Sequence, residues 1–335
     1  MSSVPASSRR RPRRGRPQSA QRSPAARPRP CLLARCPRAG RLRNRPGADT
    51  IAGRVPRIPR RGATLTTTPP VLFATGPFHG LPIQDAFALG AEAGFDGVEV
   101  MVTTDKATQD PHELGRLAAR HSLEIRAVHG PFLLLTRHVF GTDPRLKVAR
   151  SVELAEAVGA PLVVTHAPWR WATAYQEWLV EEVERVRAER GVTVTVENMF
   201  PVIVRGWRVA FHAGMELSAL RRWPALTLDT SHLAVGGLDP CAAHRALGER
   251  VVHVHAANNA GNGRDTHARL EEGVAPVTRF LEQLGRTGYR GDVTLEVNFR
   301  PLMGRREHLL AAMRSELEIA RRHLALGRRQ ATGAA

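Results

Sequence analysis

The chain has 335 residues, enough for one α/β barrel of about 250 residues with an extension. Its formal charge of +18 is unevenly distributed along the chain. Residues 1–63 hold 18 of the 49 basic residues and only one of the 31 acidic residues, so the rest of the chain is nearly neutral. The cysteines, Cys31, Cys36 and Cys241, offer no disulfide framework, and without an apolar run of about 18 residues the sequence predicts no membrane span.

The first 65 residues are rich in Arg, Pro, Ser and Gly and lack apolar periodicity, which predicts a disordered, basic N-terminal tail. Before Asp49 the tail has no acidic residue, as in transit peptides, but its proline density opposes the amphipathic helix of such peptides. No long apolar segment follows Arg9-Arg10-Arg11, which argues against export. We therefore expect a cytoplasmic protein, whose working chain either includes the tail or begins near Val55 or Val71. Any nucleic-acid binding by the tail would be non-specific.

From Val71 onward, short apolar runs alternate with longer segments of helical periodicity, a pattern typical of βαβ units and a parallel sheet. The runs are VLFATG at Val71, GVEVMV at Gly97, IRAVHG at Ile125, PLVVTH at Pro161, VTVTVE at Val192, LTLDTS at Leu226, VVHVHA at Val251 and DVTLEV at Asp292. Eight strands, each followed by a helix, predict an α/β fold, a (β/α)8 TIM barrel over residues 66–328, with residues 329–335 as a disordered C-terminus. The main alternative, an open doubly wound sheet, needs a glycine-rich phosphate turn that ATGPFHG at Ala74 matches poorly.

Acidic and imidazole side chains follow six of the predicted strands at or just beyond the carboxyl end. They are His129, His166, Glu197, Asp229 with His232, His255, and Glu296. In a TIM barrel these strand ends meet at the face that carries the chemistry. A single such residue is usually structural, but six strands that supply these groups to one face are costly to bury without a cation. The sequence therefore predicts a metal site.

The ligand set combines oxygen and nitrogen without thiolate, which suits Zn, Mn, Co or Fe. In the DTSH segment, Asp229 and His232 lie three residues apart and would bind one ion or two neighbouring ions.

Two pairs of residues after the sixth predicted strand bear on this set. His253 and His255 point to the same face of a strand, and His255, nearer the rim, is the expected ligand, with His253 in the layer beneath it. Asp265 and His267, on the following loop, are either a further ligand pair or part of a solvated turn.

These motifs together resemble the xylose-isomerase-like barrel superfamily, over roughly residues 71–326. The matching segments are HGPF at His129, VVTHAP at Val163, VENM at Val196, LDTSHLAVGGLD at Leu228, HVHAANNAGNGRDTH at His253 and LEV at Leu295. The superfamily includes sugar phosphate isomerases and epimerases as well as endonuclease IV. The resemblance thus implies a metal-binding barrel that acts either on a small sugar or on a phosphodiester.

We favour the isomerase and epimerase branch. By resemblance, one divalent ion, Mn, Co or Zn, would be held by Glu197, Asp229, His255 and Glu296. It would stabilise the enediolate formed when a proton leaves the carbon beside a carbonyl of a sugar, sugar phosphate or sugar acid. Glu197 and Glu296 would remove and return the proton, and His232 and Arg264 would orient substrate hydroxyls or a phosphate. The chain departs from ketose epimerases at residues 203–205, where these tend to carry a further Glu.

In the endonuclease IV branch, the same pocket would hold three zinc ions and hydrolyse phosphodiesters at abasic sites in DNA. By resemblance, the nine ligands would be His129, His166, Glu197, Asp229, His232, His255, Asp265, His267 and Glu296. The segments between the ligands match less well, with residues 199–201 as Met-Phe-Pro in place of Thr-Ala-Gly, and with Asn258 in place of an Asp. The near-neutral barrel also lacks the basic residues that phosphate contacts favour. Nucleic acid would be a partner only in this branch or through the tail.

The sequence leaves two further alternatives open. The first is whether the protein is an enzyme. A barrel that binds a metal or a sugar acid without catalysis would need the ligands but not two proton-transfer groups. The second is an anionic group on the substrate, because Arg300 and Arg305 follow the eighth strand, where many barrels bind a phosphate. The substrate, the identity and number of the ions and the oligomeric state are not determined by the sequence.

Overall fold

Eight parallel strands form a closed barrel in the computed structural model, which describes residues 68–205 and 207–333. The strands are β1 (Val71–Ala74), β2 (Gly97–Met101), β3 (Glu124–His129), β4 (Leu162–His166), β5 (Thr193–Glu197), β6 (Val202–Val204), β7 (Trp207–Val209), β8 (Leu226–Asp229), β9 (Val251–Ala256) and β10 (Asp292–Leu295). Strands β6 and β7 form an antiparallel hairpin outside the barrel, while the other eight pair in chain order and β10 closes the ring against β1. The predicted TIM barrel and its eight strands are confirmed.

Helices surround the barrel and connect its strands. They are α1 (Ile83–Ala93), α2 (Pro111–His121), α3 (Pro144–Val158), α4 (Thr173–Arg190), α5 (Leu217–Leu220), α6 (Thr230–Gly236), α7 (Pro240–Leu247), α8 (Val277–Thr287) and α9 (Arg306–Thr332). Three of them, α2, α3 and α7, begin with an Asp-Pro pair, in which the Asp side chain caps the first turn and proline occupies a position that needs no donor. None of the described helices combines the length and apolar character needed to cross a bilayer.

Both ends of the chain are predicted to be disordered, and the structure describes part of the C-terminal end. The predicted tail of residues 1–65 lies outside the described residues, as do residues 334 and 335. Helix α9 continues to Thr332, so residues 329–332 are helical, and their assignment to a disordered C-terminus is corrected. The segment consists mainly of good helix formers, and Gln330 accepts a hydrogen bond of 2.6 Å from Arg286 on α8.

The apolar core lies mainly between the barrel and the helices, where the outward side chains of the strands meet the inward faces of the helices. A second, smaller cluster fills part of the barrel interior with Ala127, Leu162 and Val164. Several strands alternate accordingly, as in TVTVE of β5 and DVTL of β10, with apolar side chains toward the helices and polar side chains toward the barrel interior. The remaining interior of the barrel is polar, and this polar layer supports the site at the carboxyl ends of the strands.

The loop between β3 and α3 is anchored by a buried lysine. Lys147 donates hydrogen bonds from Nζ to the carbonyl oxygens of Pro131, Thr136 and Val139, at 2.8, 3.0 and 2.7 Å. The same loop carries Leu133, Leu135 and Thr136, which line the cavity above the site. Lys147 therefore sets the position of one wall of that cavity.

Replacing Lys147 with Met keeps an unbranched side chain but removes all three donors. We expect Lys147→Met to lower the free energy of unfolding by about 2–4 kcal/mol, because buried carbonyls lose a charged donor. Chemical denaturation measures the change. The matched control is Lys106→Met at the exposed lysine of the chain, which should stay within about 0.5 kcal/mol of wild type. Equal losses in the two variants would contradict the anchoring role.

Candidate metal centre

The carboxyl ends of the strands bring the predicted ligands together. His129, His166, Glu197 and Asp229 are each the last residue of their strand, so the ring places them in one layer. His166 is the register partner of Glu197 between β4 and β5, and Asp229 is that of His255 between β8 and β9. Neighbouring ligands are therefore fixed by the backbone ladder itself. All nine residues predicted as ligands gather here, in three adjoining groups that share Glu197 and Asp229.

The first group consists of Glu197, Asp229, His255 and Glu296, whose ligand atoms all lie within 4.8 Å of one another. Nδ1 of His255 is 3.0 Å from Oε1 of Glu197 and 3.0 Å from Oε2 of Glu296. Oδ2 of Asp229 is 3.8 Å from the same nitrogen. Three carboxylates thus surround one buried imidazole nitrogen, and two of them, Glu197 and Glu296, also line the cavity.

The second group consists of His129, His166 and Glu197. The two Nε2 atoms face each other at 3.1 Å, and Oε2 of Glu197 lies 3.3 Å from that of His166 and 3.6 Å from that of His129. Two imidazole ligands of one tetrahedral zinc ion, with Zn–N about 2.0–2.1 Å, have their nitrogens about 3.3 Å apart. The spacing therefore fits a shared cation.

The third group contains Asp229, His232 and His267, with Asp265 beside it. His232 and His267 each donate from Nδ1 to a backbone carbonyl, that of Asn198 and that of Glu296, both at 2.8 Å. Because a carbonyl can only accept, Nδ1 of each ring must carry a hydrogen. The other ring nitrogen, Nε2, faces Asp265 in the site. Oδ2 of Asp265 lies 3.3 Å from Nε2 of His232 and 2.7 Å from Nε2 of His267.

The DTSH segment builds its part of the site by capping a helix. Asp229 is the N-cap of α6, and its Oδ1 accepts a hydrogen bond of 2.7 Å from the backbone N–H of His232. Thr230 donates to the carbonyl of Ala257 at 2.6 Å, which ties the turn to the segment after β9. The cap uses one oxygen of Asp229, and Oδ2 is left free for the site.

A divalent cation fits this donor set. Oδ2 of Asp229 and Oε2 of Glu197 are buried and have no hydrogen-bond partner among the described residues. Buried carboxylate oxygens without a donor are costly, and a cation compensates them directly. Both unpartnered oxygens belong to the residues that the three groups share. The mixture of carboxylate and imidazole ligands suits Zn, Mn or Co.

Without a cation, protons on the imidazoles balance the carboxylates. Burial alone would lower the pKa of His255, but the charges of Glu99, Glu296 and Glu197 raise it well above its ordinary value. Asp265 likewise raises the pKa of His267 to about 10 against the effect of burial. Burial raises the pKa of Asp229 to about 6. A bound metal ion would therefore replace protons that the metal-free site holds.

Glu99 belongs to the site and was not predicted from the sequence. It lies in the middle of β2, is fully buried, and contacts His129, His253 and His255. The available signal was an acidic residue inside the apolar run GVEVM, two residues before the strand end. His253 lies in the layer beneath the ligand His255, as predicted.

A cavity of about 360 Å³ opens above the three groups. Its walls are largely apolar, with Met101, Leu133, Leu135, Met199 and Phe200. Its polar lining outside the metal ligands includes Thr103, Thr136, Asn298 and Arg300.

Arg264, predicted to orient the substrate, lies apart from this cavity. It is exposed on the loop after β9 and is not among the residues that line the cavity, whereas Arg300 is. The backbone carbonyl of Arg264 accepts a hydrogen bond of 2.9 Å from Asn259, which fixes the course of its loop. The structure therefore places Arg300, rather than Arg264, at the mouth of the site.

Comparisons with known proteins agree with this architecture. The sequence matches the family model of the xylose isomerase-like TIM barrel over residues 87–323. An uncharacterized protein of Mycobacterium tuberculosis is 34% identical over 275 residues, which cover 75% of this chain and 96% of that protein. A solved D-tagatose 3-epimerase-like protein is 21% identical with a TM-score of 0.56, over 76% of this chain and 98% of that one. D-allulose 3-epimerase from Methylomonas sp., in complex with D-allulose, is 18% identical with a TM-score of 0.56, over 76% and 97%.

The metal-free protein should lose stability as the pH rises. His267 has its pKa raised from 6.5 to about 10 in the folded state, so the folded chain binds this proton more tightly than the unfolded chain. The resulting stabilisation is complete below about pH 6.5 and is lost as the pH approaches about 10. We expect the Tm of chelator-treated protein to fall over this window and to fall less with added zinc, because the ion replaces the protons.

Thermal unfolding at several pH values, with chelator and with zinc, measures this effect. His267→Gln removes the titrating group and should make the fall shallower. A metal-free Tm that increases over the same window would show that protonated imidazoles do not stabilise the site.

Proposed function

The chain belongs to the xylose isomerase-like TIM barrel family, and on that premise we propose that it is a divalent-metal-dependent isomerase or epimerase of a small sugar or sugar derivative. One observation carries the proposal. Two buried carboxylates, Glu197 on β5 and Glu296 after β10, converge from strands three positions apart in the ring on the floor of a small, largely apolar cavity. Each lies 3.0 Å from Nδ1 of His255.

The acidic pair is in the right ionisation state for proton transfer. Burial would raise the pKa of Glu197 and of Glu296, but His255 lowers both, so both are carboxylates at neutral pH. A carboxylate at the cavity floor takes a proton from the carbon beside a substrate carbonyl. Return of the proton to the other face of that carbon gives an epimer, and its delivery to the neighbouring carbon gives an isomer.

The resident ion would be held by Glu197, Asp229, His255 and Glu296. When bound, it supplies positive charge that stabilises the developing negative charge on the substrate oxygen. His232, whose Nε2 faces the cavity beside Asp265, is placed to orient a substrate hydroxyl. The apolar wall formed by Met101, Met199 and Phe200 limits the access of water to the reacting carbon.

The solved relatives support a ketose as the first substrate to test. Two structures that share the fold bear the names D-tagatose 3-epimerase-like protein and D-allulose 3-epimerase. In this chain, residues 203–205 are Ile-Val-Arg, at the end of the exposed strand β6 and just after it, so the glutamate expected there in ketose epimerases is missing. Recognition of the substrate's outer hydroxyls would therefore differ from that of ketose epimerases.

A three-zinc phosphodiesterase is the second candidate, because the three ligand groups adjoin and share Glu197 and Asp229. The cavity argues against it. Among the described residues that line it, Arg300 is the only arginine or lysine, whereas a nucleic-acid backbone needs several cations. A volume of about 360 Å³ with apolar walls suits a small molecule better.

Proton transfer by the acidic pair is testable by isotope exchange. In heavy water, the protein loaded with Mn, Co or Zn should incorporate deuterium beside the carbonyl of a ketose, measured by mass spectrometry. We expect Glu197→Gln and Glu296→Gln each to slow this exchange about 10²–10⁴-fold, because each removes a base. Metal content measured on each variant separates loss of the base from loss of the ion.

Glu316→Gln provides the control. Glu316 is as buried as the acidic pair but bonds to Arg269 and to the backbone of Leu270, away from the site, so the exchange activity should be kept in this variant. Three zinc ions per chain with cleavage of abasic DNA, and no exchange on any sugar, would overturn the proposal in favour of the phosphodiesterase.

Arg300 should distinguish anionic from neutral substrates. Its guanidinium has no hydrogen-bond or ion-pair partner in the described part of the chain, yet it lines the cavity after the eighth barrel strand. We expect Arg300→Ala to raise KM for a phosphorylated or carboxylated sugar about tenfold or more, because a charge-assisted hydrogen bond is lost. KM for the neutral sugar should change little. The matched control is Arg305→Ala on the same loop, and an equal effect there would contradict a specific anion contact.

A further inference from the structure

Glu99 lies beneath the metal centre and receives four hydrogen bonds. Its Oε1 accepts from Nδ1 of His129 at 3.1 Å. Its Oε2 accepts from Nε2 of His253 at 2.7 Å, from Nε2 of His255 at 3.2 Å and from the hydroxyl of Thr294 at 3.0 Å. These four residues come from β3, β9 and β10, so one carboxylate links strands on several sides of the barrel.

A carboxylate accepts hydrogen bonds and cannot donate them, so the facing ring nitrogens must carry the hydrogens. His129 then has its hydrogen on Nδ1 and a lone pair on Nε2, which faces His166 and Glu197. His255 faces carboxylates with both nitrogens, so the metal-free ring carries a hydrogen on each. An ion bound between Glu197 and Glu296 would replace the hydrogen on Nδ1, and the hydrogen on Nε2 would stay with Glu99. In the metal-loaded site, Glu99 would thus favour opposite tautomers in the two rings, each with its lone pair directed to a ligand group.

Two other predicted ligand histidines have a backbone group in the role that Glu99 has here. His232 and His267 have their tautomers fixed by backbone carbonyls, which are always acceptors. His129 and His255 project from barrel strands, and the acceptor for each ring is a side chain rather than a backbone carbonyl. Glu99 is that acceptor, and it is held in place by His253 and Thr294.

We propose that Glu99 is a positioning residue that fixes the rings and tautomers of His129 and His255 so that both bind the metal. This inference rests on the metal site of the proposed function. Carboxylates that accept from a ligand histidine fix its orientation and raise its basicity, and their loss typically weakens metal binding about 10–100-fold. An amide in the same place keeps one acceptor oxygen and loses the charge.

The test is the affinity of Glu99→Gln for zinc, measured by competition with a chromophoric chelator. We expect binding about 10–100-fold weaker than that of wild type. The matched control is Glu316→Gln, because Glu316 is equally buried but bonds to Arg269 and to the backbone of Leu270, away from the site. It should lose stability without losing zinc affinity. Zinc binding by Glu99→Gln as tight as wild type would overturn the proposal.

Histidine ¹⁵N spectra of the zinc-loaded wild type give a second readout, which needs no variant to fold. His129 should carry its hydrogen on Nδ1 and His255 on Nε2, and the reverse assignment at either ring would overturn the role of Glu99. If Glu99 acted on zinc only through its charge, it would not determine which nitrogen of each ring carries the hydrogen. Wild-type protein that binds no divalent ion at all would instead overturn the metal site and the proposed function with it.

Discussion

The structure depends on a cluster of acidic side chains buried inside a closed barrel. Four carboxylates lie within one small volume with at most 8% of their surface exposed: Glu99, Glu197, Asp229 and Glu296. Buried charge of one sign is strongly unfavourable unless partners compensate it. Here the partners are imidazoles, and two carboxylate oxygens still have no donor among the described residues. The cluster therefore requires compensating positive charge, from protonated imidazoles or from a bound cation, and the rest of the site is arranged around that requirement.

The barrel meets this requirement through its backbone. Parallel strands present their last residues at one face, and the register places His166 beside Glu197 and Asp229 beside His255 without any contribution from loops. Asp229 divides its two oxygens between the cap of α6 and the metal site, so the start of a helix and the position of a ligand are set by one side chain. The positions of these four strand residues relative to one another are thus set by the pairing of the strands.

The sequence predicts well those features of the site that the strands determine. Apolar runs at regular spacing revealed eight strands, and residues at their ends, such as His129 and Glu197, were recognisable as a set because strand ends converge. Glu99 was not recognised, because it lies two residues before the end of β2, in the layer beneath the ligands, whereas the predicted set was drawn from the strand ends. The loop residue Arg264 was assigned to the cavity by resemblance alone, and the path of a loop depends on contacts such as that with Asn259, which spacing does not reveal.

The three ligand groups alone do not select the reaction. The same carboxylates and imidazoles would serve proton transfer on a sugar or hydrolysis of a phosphodiester, since both need cations held beside a developing negative charge. The cavity above them is more selective, because apolar walls with Met101, Met199 and Phe200 suit a small molecule better than a chain of strongly hydrated phosphates. Under the proposed function, Arg300 at the rim would contact a single anionic group. Within a shared ligand framework, the wall rather than the floor would thus decide which substrate approaches the ion, and this wall favours the small-molecule proposal.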